Sequence, residues 1–574
     1  MEQKYPQTID EIDSVAQERF GLDYLYPFQR LVITNILSAA DSTGADEATR
    51  GRQIVILPTG AGKSLCFLLP AALLQGTTLI VYPLVSLMGD QERRIRDAGF
   101  SVAQLRGGQS GDTRAEVFER LGSGSLDFLL SNPETLSGAR VLEHLRGDVI
   151  HHLVVDEAHS IAEWGDTFRP AYLELQRIVS TINPPLVTAF TATASDHVID
   201  RIRTVVFSES GAHLIRGNPD RENISYTVQP AVSMTHALRT LFSGDGASSS
   251  EEDDDRLLPI FTPGDVPARP AIVFCATRFD TQRFARTIAT SLGDDRVASY
   301  HAGLTREQKR RIEEWFFASE DGVLCATCAY GMGVDKGNVR TVVHSYVPET
   351  VEAYLQESGR AGRDRAPAQA IVLVTPEAQR AYLRRLSGDT ETAVDRAVFG
   401  TDCRRAVLVE ALGASIDACS GCDICAVRYT REGTDDPAPR PFSRRSETAA
   451  TMLRSIATDR TPRRVSSWIR FWRGTLQWNE GIGGVRGRTG YGRFAHWTMG
   501  ELEEAIAGLE RLGLLAVEPY LRCSGANPAD STLPFRSDEG RRGPRPPYPR
   551  LGTALRSLLR RRSQTSGDGP SETH

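Results

Sequence analysis

Short apolar runs alternate with longer segments of helical periodicity in two stretches of the chain. This alternation is typical of parallel α/β units, in which each buried strand is followed by a helix. The apolar runs lie at 53–58, 77–83, 126–133, 152–159 and 186–194 in the first stretch, and at 271–277, 297–303, 322–327, 339–345 and 369–375 in the second. The pattern predicts two α/β domains in tandem.

The segments around these two stretches differ from them in composition. The segment GDGASSSEEDDDR (244–256) is rich in Gly, Ser and acidic residues and predicts a solvated insertion spanning 243–268. The predicted domain plan is 1–215 and 216–385 for the α/β domains, 386–428 for a cysteine-bearing subdomain, 429–445 for a linker, 446–519 for a helical or winged-helix unit and 520–574 for a disordered basic tail.

Charge is divided unevenly along the 574 residues. The net charge of −6 would by itself argue weakly against a nucleic-acid partner. Residues 426–574, however, contain 25 arginines, no lysine and 16 acidic residues, so this part carries +9 and residues 1–425 carry −15. With 40% hydrophobic residues the chain is neither collagen-like nor wholly disordered. Because the N-terminus is charged and no apolar run approaches the ~18 residues of a membrane span, we expect a cytoplasmic protein without a membrane partner.

The segment LPTGAGKS (57–64) follows a predicted strand and precedes a helical run, which is the context of a phosphate-binding P-loop. Its backbone N–H groups would converge on phosphate at a helix N-terminus. Lys63 would reach the β- and γ-phosphates of a nucleotide, and Ser64 would bind Mg²⁺. The alternative is a glycine-rich turn without a ligand, and Leu57 stands where the strict pattern has Gly. The candidate nucleotide-binding residues of this loop are Thr59, Gly60, Gly62, Lys63 and Ser64.

The segment VVDEAH (154–159) places two acidic residues at the end of a buried strand. Asp156 can hold the coordination shell of Mg²⁺, and Glu157 can orient or deprotonate an attacking water. On a helix the same letters would describe a solvated face. The P-loop upstream makes nucleotide hydrolysis the favoured interpretation.

Two arginines in QESGRAGRDR (356–365) are candidates for the stabilisation of transferred phosphoryl charge. Arg363 is the candidate arginine finger, with Arg360 as its neighbour, and both belong to the second α/β domain. The alternative is a charged surface loop.

Taken in order, these motifs resemble those of the RecQ family of superfamily-two DNA helicases. The resemblance covers about residues 18–425 and includes FGLDYLYPFQ (20–29), PTGAGKS, VDEAH, TATA (191–194), ATCAYGMGVDKGNVRTVVH (326–344) and QESGRAGRD. It implies two RecA-like P-loop domains, a helical Zn-binding subdomain and a winged helix. It also implies ATP and Mg²⁺ as ligands and DNA as the partner, with movement 3′→5′ on single strands.

The resemblance also assigns roles to individual residues. Gln29 matches the glutamine that reads the adenine edge, whereas Tyr26 stands where the family usually has Arg. Tyr26 could stack on the base, or nucleotide selectivity could be looser. The segment HSIAEWGDTFRPAY (159–172) resembles the aromatic-rich loop that links DNA contact to ATP hydrolysis. The residues that match DNA-binding or coupling positions are His159, Trp164, Phe168, Arg169, Thr191 and Thr193.

Four of the nine cysteines, Cys403, Cys419, Cys422 and Cys425, follow the spacing C-x₁₅-C-x₂-C-x₂-C. Four thiolates suit a closed tetrahedral structural Zn²⁺ site, and an iron–sulfur cluster is the alternative. The RecQ family carries such cysteines after its second RecA-like domain. The pair Cys325 and Cys328 also reads CxxC, but it lies at a predicted buried strand end, so we expect no metal there.

The last third of the chain is less informative. The segment GVRGRTGYGRF (484–494) could be a wing that carries Tyr491 as a strand-separating wedge, or a flexible Gly/Arg loop. Because the tail beyond 520 is rich in Pro and Arg, we expect it not to form the C-terminal HRDC module of some RecQ proteins.

Three functions are compatible with these sequence features. The first is an ATP- and Mg²⁺-dependent DNA helicase that binds single-stranded and tailed duplex DNA without sequence preference. The second is a DNA-stimulated translocase that works with protein partners in a DNA-processing, modification or defence complex. The third, a zinc-containing DNA-binding module with an inactive ATPase, is disfavoured because the acidic and basic residues of the nucleotide motifs are intact.

Overall fold

The computed structural model describes residues 9–41, 51–58, 60–147, 149–164, 170–207, 211–243, 267–293, 296–330, 336–430, 447–458, 465–474, 491–512, 514–517 and 549–551. Two parallel sheets, each covered by helices on both faces, form the bulk of the described chain. The predicted tandem α/β architecture is therefore confirmed. Among the described residues, no helix is both long enough and apolar enough to cross a bilayer.

The first α/β domain, lobe 1, has a seven-stranded sheet in the order β3-β4-β2-β5-β6-β1-β7. Its strands are β1 Arg52–Ile56, β2 Thr77–Val81, β3 Val102–Gln104, β4 Phe128–Ser131, β5 Ile150–Val155, β6 Leu186–Thr191 and β7 His213–Arg216. Its helices are α1 Ile9–Phe20, α2 Pro27–Asp41, α3 Leu65–Leu73, α4 Val85–Asp97, α5 Gly111–Gly122, α6 Pro133–Leu136, α7 Ala139–Leu145, α8 Ser160–Trp164, α9 Leu175–Ile182 and α10 Asp196–Ile202, with a 3₁₀ turn at Pro170–Glu174 and a π turn at Arg203–Phe207.

The second α/β domain, lobe 2, has a six-stranded sheet in the order β10-β11-β9-β12-β13-β8. Its strands are β8 Ile224–Pro230, β9 Ala271–Phe274, β10 Val297–Tyr300, β11 Val323–Ala326, β12 Thr341–His344 and β13 Ala368–Val374. Its helices are α11 Met234–Ser243, α12 Arg278–Leu292, α13 Arg306–Ala318, α14 Val351–Ser358 and α15 Pro376–Ser387. The predicted insertion at 243–268 lies almost wholly outside the described residues.

The central strands read as continuous apolar runs because both of their faces are buried. In β1, Ile54 and Ile56 enter one core of lobe 1, while Val55 enters the core on the opposite face. All ten apolar runs named from the sequence overlap a strand. The three additional strands lie at sheet edges: β3 and β7 in lobe 1 and β8 in lobe 2. None gives a continuous apolar run, because β3 is three residues long, half of β7 is exposed and only part of β8 is buried.

The cysteine-bearing subdomain follows lobe 2 and contains α16 Ala393–Phe399, α17 Arg404–Glu410 and α18 Asp423–Thr430. It is joined to lobe 2 by buried charge. The Arg405 side chain is fully buried, forms an ion pair with Asp220 and donates to the carbonyl oxygen of Arg221 at 2.9 Å. The Val228 N–H of β8 donates to the Asp423 carboxylate at 3.2 Å. The subdomain is therefore packed as an extension of lobe 2.

The C-terminal module contains α19 Glu447–Thr458, α20 Val465–Trp472, α21 Met499–Arg511 and a pair of antiparallel strands, β14 Leu515–Val517 and β15 Pro549–Leu551. Its core includes the buried rings of Trp468, Trp472 and Phe494. Strand β15 lies within the tail predicted to be disordered, so that prediction is wrong for these three residues. Composition over a long segment cannot reveal a three-residue pairing, and proline is tolerated at the first position of a strand.

Tyr491 packs inward against this module. Its hydroxyl donates to the carbonyl oxygen of Gly474 at 3.0 Å, and its ring meets the Phe471 ring edge to face. The rest of the predicted wing, 484–490, lies outside the described residues.

Candidate active site and metal centre

The P-loop connects β1 to α3 and contains two glycines in the left-handed region. Gly60 has φ +83° and Gly62 has φ +75°, so L side chains would be strained at both positions. A Cβ atom on Gly62 would lie 2.4 Å from the Gln29 side-chain nitrogen. Ser64 immediately precedes α3 and its side chain makes no capping bond to that helix. The candidate Thr59 lies outside the described residues.

Gln29 is buried and connects α2 to the P-loop. Its Nε2 donates to the Ala61 carbonyl oxygen at 2.9 Å, and its Oε1 accepts from the Tyr26 N–H at 2.9 Å. The Tyr26 ring stacks on Phe28, with centroids 5.6 Å apart, and the Arg365 guanidinium of lobe 2 lies 4.8 Å from the Tyr26 centroid. Tyr26 therefore presents an aromatic face at the cleft, where the family usually has a guanidinium.

The two acids after β5 differ in protonation behaviour. Burial, and then the charge of Glu157, raises the pKa of Asp156 to about 7, and Lys63 opposes the shift. Burial also acts to raise the pKa of Glu157, but the charges of Lys63, His159, Arg360 and Arg363 outweigh it, so this pKa is lowered. Lys63 Nζ lies 3.7 Å from Glu157 Oε2. The P-loop lysine and the DEAH glutamate thus face each other across one site.

A chain of polar contacts leads from Glu157 toward lobe 2. His159 Nδ1 lies 3.5 Å from Glu157 Oε2 and 3.1 Å from Thr191 Oγ1. The Thr191 hydroxyl donates to the Thr193 carbonyl oxygen at 2.9 Å. Gln356 Nε2 of α14 then donates to Thr193 Oγ1 at 3.3 Å across the cleft. The contacts bring together three of the predicted coupling residues, His159, Thr191 and Thr193.

Arg360 and Arg363 lie in the loop that follows α14 and face the same acids. Both cations act to lower the pKa of Glu157. Burial, and then the charge of Arg363, lowers the pKa of Arg360 to about 10. The Nε of Arg360 is buried and makes no hydrogen bond to any described residue. The Arg363 carbonyl oxygen would lie 3.8 Å from a Cβ on Gly60, so this loop abuts the P-loop.

Part of the aromatic-rich loop, residues 165–169, lies outside the described residues. Trp164 is the last residue of α8, and Phe168 and Arg169 lie outside the described residues. Their assigned contact with DNA stays a prediction.

The four predicted metal ligands, Cys403, Cys419, Cys422 and Cys425, have sulfur atoms within 4.8 Å of one another. The Cys403 and Cys422 Sγ atoms are 3.9 Å apart. A tetrahedral Zn²⁺ with Zn–S bonds of about 2.3 Å places its sulfurs about 3.8 Å apart, so the spacing fits one ion. Burial, and then the charge of the neighbouring Cys422 sulfur, raise the pKa of the Cys425 thiol, which disfavours its thiolate form. A bound cation would stabilise the thiolate and offset this effect. In contrast, Cys325 is buried beside Cys275, while Cys328 is exposed.

Several residues at the site carry no role in the sequence interpretation. Gln356 opens the motif that supplies the arginines, yet it bonds to lobe 1 rather than to its own loop. Arg221 and Asn223 donate to the backbone of the arginine loop from the segment that connects the two lobes. Because each of these bonds joins residues more than 130 positions apart, no local pattern could have indicated them.

Comparison with known proteins agrees with the geometry. Residues 26–202 match the DEAD/DEAH box helicase family, and residues 257–365 match the helicase conserved C-terminal domain. The "Probable ATP-dependent DNA helicase RecS" of Bacillus subtilis is 34% identical over 369 residues, which cover 64% of this chain and 67% of the relative. The "ATP-dependent DNA helicase RecQ" of Pasteurella multocida is 33% identical over 391 residues, 65% of this chain and 57% of the relative.

A solved structure shares the fold. The DUF1998 helicase MrfA bound to DNA has a TM-score of 0.51 at 18% identity, covering 75% of this chain and 61% of that one. This likeness supports the tandem arrangement of the two lobes. The relatives, the matched domains and the cleft motifs together show that the chain belongs to the RecQ family of superfamily-two helicases.

Proposed function

We propose that this protein is an ATP- and Mg²⁺-dependent DNA helicase that moves 3′→5′ along single-stranded DNA and unwinds duplex DNA in repair and recombination. One observation supports the proposal most. Lys63 of the P-loop, Glu157 of the DEAH segment and the lobe 2 arginines face one another in a single cleft, in a chain of the RecQ family.

The residues of this cleft have distinct roles in the proposed hydrolysis. Lys63 and the P-loop N–H groups would bind the terminal phosphates, which would compete with Glu157 for the lysine. Glu157 would then orient the attacking water, and Arg363 with Arg360 would stabilise the charge that develops on the phosphoryl group. Ser64 and Asp156 would hold Mg²⁺, which neutralises phosphate charge when it is bound.

Coupling of hydrolysis to DNA would use the contacts that lead from Glu157 to lobe 2. Closure of the cleft would change the bond between Thr193 and Gln356, and alternating grip on the sugar–phosphate backbone would advance the motor. Single-stranded DNA would stack on the Trp164, Phe168 and Arg169 side chains of the aromatic-rich loop. Backbone contacts position the protein without reading bases, so we expect binding without sequence preference.

The C-terminal module would act as a winged helix that grips the duplex. Three helices and the β14–β15 pair are consistent with that fold, and residues 426–574 carry a net charge of +9. Positive charge on this part of the chain supplies the sequence-independent attraction to phosphate. The four clustered cysteines would hold a structural Zn²⁺, because four sulfur ligands leave no open position for catalysis.

Strand release from tailed duplexes tests the proposal. The isolated protein should release the labelled strand of a 3′-tailed duplex with ATP and Mg²⁺, and leave the 5′-tailed duplex largely paired. ATP hydrolysis without strand release would favour the translocase, and the absence of DNA-stimulated phosphate release would overturn the enzyme assignment. Lys63→Ala should abolish both activities, because the lysine contacts the phosphates. Retained activity in that variant would contradict the active-site assignment.

A further inference from the structure

Two side chains from the segment between the lobes hold the loop that carries the arginines. This connection, residues 217–223, runs from the end of β7 in lobe 1 to the start of β8 in lobe 2. Arg221 donates to the carbonyl oxygens of Gly359 at 3.3 Å, Ala361 at 3.2 Å and Gly362 at 2.6 Å. The guanidinium therefore bonds the backbone on both sides of Arg360.

Asn223 completes the contact from the same segment. Its Nδ2 donates to the carbonyl oxygens of Gly362 at 2.8 Å and Ala366 at 2.9 Å. Gly362 has φ +55°, and a Cβ on it would lie 2.4 Å from Asn223 Nδ2. The backbone turn between Arg360 and Arg363 is thus fitted against the Asn223 amide with no room for a side chain.

The charge of Arg221 is unfavourable at this position. Burial lowers the pKa of its guanidinium, and the nearby charges of Arg363 and Arg365 act in the same direction, against the opposing effects of Tyr226 and Asp364. A third cation beside two arginines costs electrostatic free energy, whereas a planar fork of donors suits several carbonyl oxygens at once. A neutral side chain would avoid the repulsion but could not satisfy three carbonyl groups from one point.

We infer that Arg221, assisted by Asn223, is a positioning residue for the arginine finger: it fixes the 359–366 loop to the connection between the lobes and so sets where Arg363 stands. The inference rests on the proposed function, because it assumes that Arg363 stabilises the transferred phosphoryl group. The anchor lies on the segment that connects β7 of lobe 1 to β8 of lobe 2, so the position of the finger depends on that segment as well as on its own loop.

The test compares Arg221→Ala and Arg221→Lys with Arg177→Ala. Arg177 is the matched control because it also donates to a backbone carbonyl, that of Ser137 at 3.0 Å, within lobe 1. For Arg221→Ala we expect kcat of the DNA-stimulated ATPase to fall about 10-fold to 100-fold with little change in KM, since a small misplacement of a catalytic group has effects of that size. Arg221→Lys should lose most of the same activity, because an ammonium group cannot form the fork.

Measurements of nucleotide affinity distinguish a positioning role of Arg221 from a general loss of structure in the variant. Arg221→Ala should bind a non-hydrolysable ATP analogue as the wild type does, and bind ADP–aluminium fluoride about 10-fold or more weakly. Equal weakening of both ligands, or a kcat within twofold of the wild type, would overturn the inference.

A double variant shows whether Arg221 acts through the finger. If it does, Arg221→Ala combined with Arg363→Ala should be no slower than Arg363→Ala alone. Fully multiplicative losses would overturn the inference. If Arg363→Ala keeps the kcat of the wild type, Arg363 is not the arginine finger, and the proposed role of that residue is wrong whatever Arg221 does. If Arg363→Ala is inactive while Arg221→Ala is not, only the positioning role fails.

Discussion

Lobe 2 makes two very different joints with its neighbours. At the joint with lobe 1, here the cleft joint, the contacts are single hydrogen bonds. The Ser195 N–H donates to the Glu352 carboxylate at 3.1 Å, and Gln356 Nε2 donates to Thr193 Oγ1 at 3.3 Å. At the joint with the cysteine-bearing subdomain, here the zinc joint, the Val228 N–H of β8 donates to the Asp423 carboxylate. The fully buried Arg405 also pairs with Asp220 of the connection that leads into β8.

This difference in bonding indicates which of the two joints can move. Neutral or singly charged hydrogen bonds at a cleft can be exchanged for bonds to water or ligand at small net cost. Separation of a buried ion pair leaves a charge without its partner in an interior that solvates it poorly, which costs much more free energy. ATP-driven motion is therefore expected at the cleft joint, with lobe 2 and the cysteine-bearing subdomain moving as one body.

The largest effect expected at the zinc joint is that of metal removal. A structural Zn²⁺ site contributes apparent binding free energies of about 10 kcal/mol or more to folding, so a strong chelator should lower the melting temperature sharply and release about one zinc per chain. Cys422→Ser should behave like the chelated protein. Cys328→Ser is the control, since Cys328 is exposed and outside the cluster. If the purified protein instead contains iron and absorbs visible light, the four cysteines hold an iron–sulfur cluster and the zinc assignment is wrong.

Next in size is the loss of the buried ion pair. Asp220→Ala leaves Arg405 buried without its carboxylate, and should cost about 3–5 kcal/mol of unfolding free energy. Asp200→Ala removes an exposed pair with Arg203 in lobe 1 and should cost less than about 1 kcal/mol. Chemical denaturation measures both. Equal losses would show that the zinc joint is no stronger than a surface contact.

A third joint, between lobe 2 and the C-terminal module, should depend on pH. Burial acts to raise the pKa of Glu501, but hydrogen bonds from His236, Arg239 and the Thr498 backbone lower it to about 2. Since the folded pKa lies below the unfolded value, the stabilisation is complete above pH ~4.5 and is lost as pH falls toward 2.

The matched comparison for this joint is the pH dependence of unfolding in Glu501→Gln. The glutamine cannot ionise, so the variant should be less stable than the wild type near neutral pH, and the difference should shrink as pH falls from ~4.5 toward 2. A difference that stays constant with pH would contradict the assigned ionisation.

The smallest effect on stability is expected at the cleft joint. Gln356→Ala removes one 3.3 Å bond from a half-buried amide and should change unfolding free energy by about 1 kcal/mol or less. It should still lower DNA stimulation of the ATPase, because that bond joins Thr193 to lobe 2. Gln104→Ala, which removes a bond to Glu92 within lobe 1, is the control. Unchanged stimulation in Gln356→Ala would remove this contact from the coupling path.

The sequence predicted the parts of the molecule that local spacing encodes. Gly60, Gly62 and Lys63 form a P-loop because a strand, a glycine-rich turn and a helix follow in order, and the four cysteines meet because three of them lie within seven residues. The strands were evident because both faces of the central ones are buried.

The joints could not be predicted in this way. The pairing of Asp220 with Arg405 spans 185 positions, and that of Arg221 with the Gly362 carbonyl oxygen spans 141. Each of these side chains is an ordinary charged residue in the sequence, and tertiary packing, such as that of β8 beside β13, brings it to its partner. The fold class and the candidate site residues thus follow from local pattern. The contacts that position those residues and join the lobes connect distant positions, so they follow only from the tertiary structure.

Single-molecule energy transfer tests the central claim, that the cleft joint moves while the zinc joint stays fixed. Labels on non-natural amino acids leave the cysteines intact; exposed positions are Ser123 in lobe 1, Ala318 in lobe 2 and Asp417 in the cysteine-bearing subdomain. With single-stranded DNA and a non-hydrolysable ATP analogue, the Ser123–Ala318 transfer efficiency should shift and the Ala318–Asp417 efficiency should not. A shift in the second pair, or none in the first, would contradict the account.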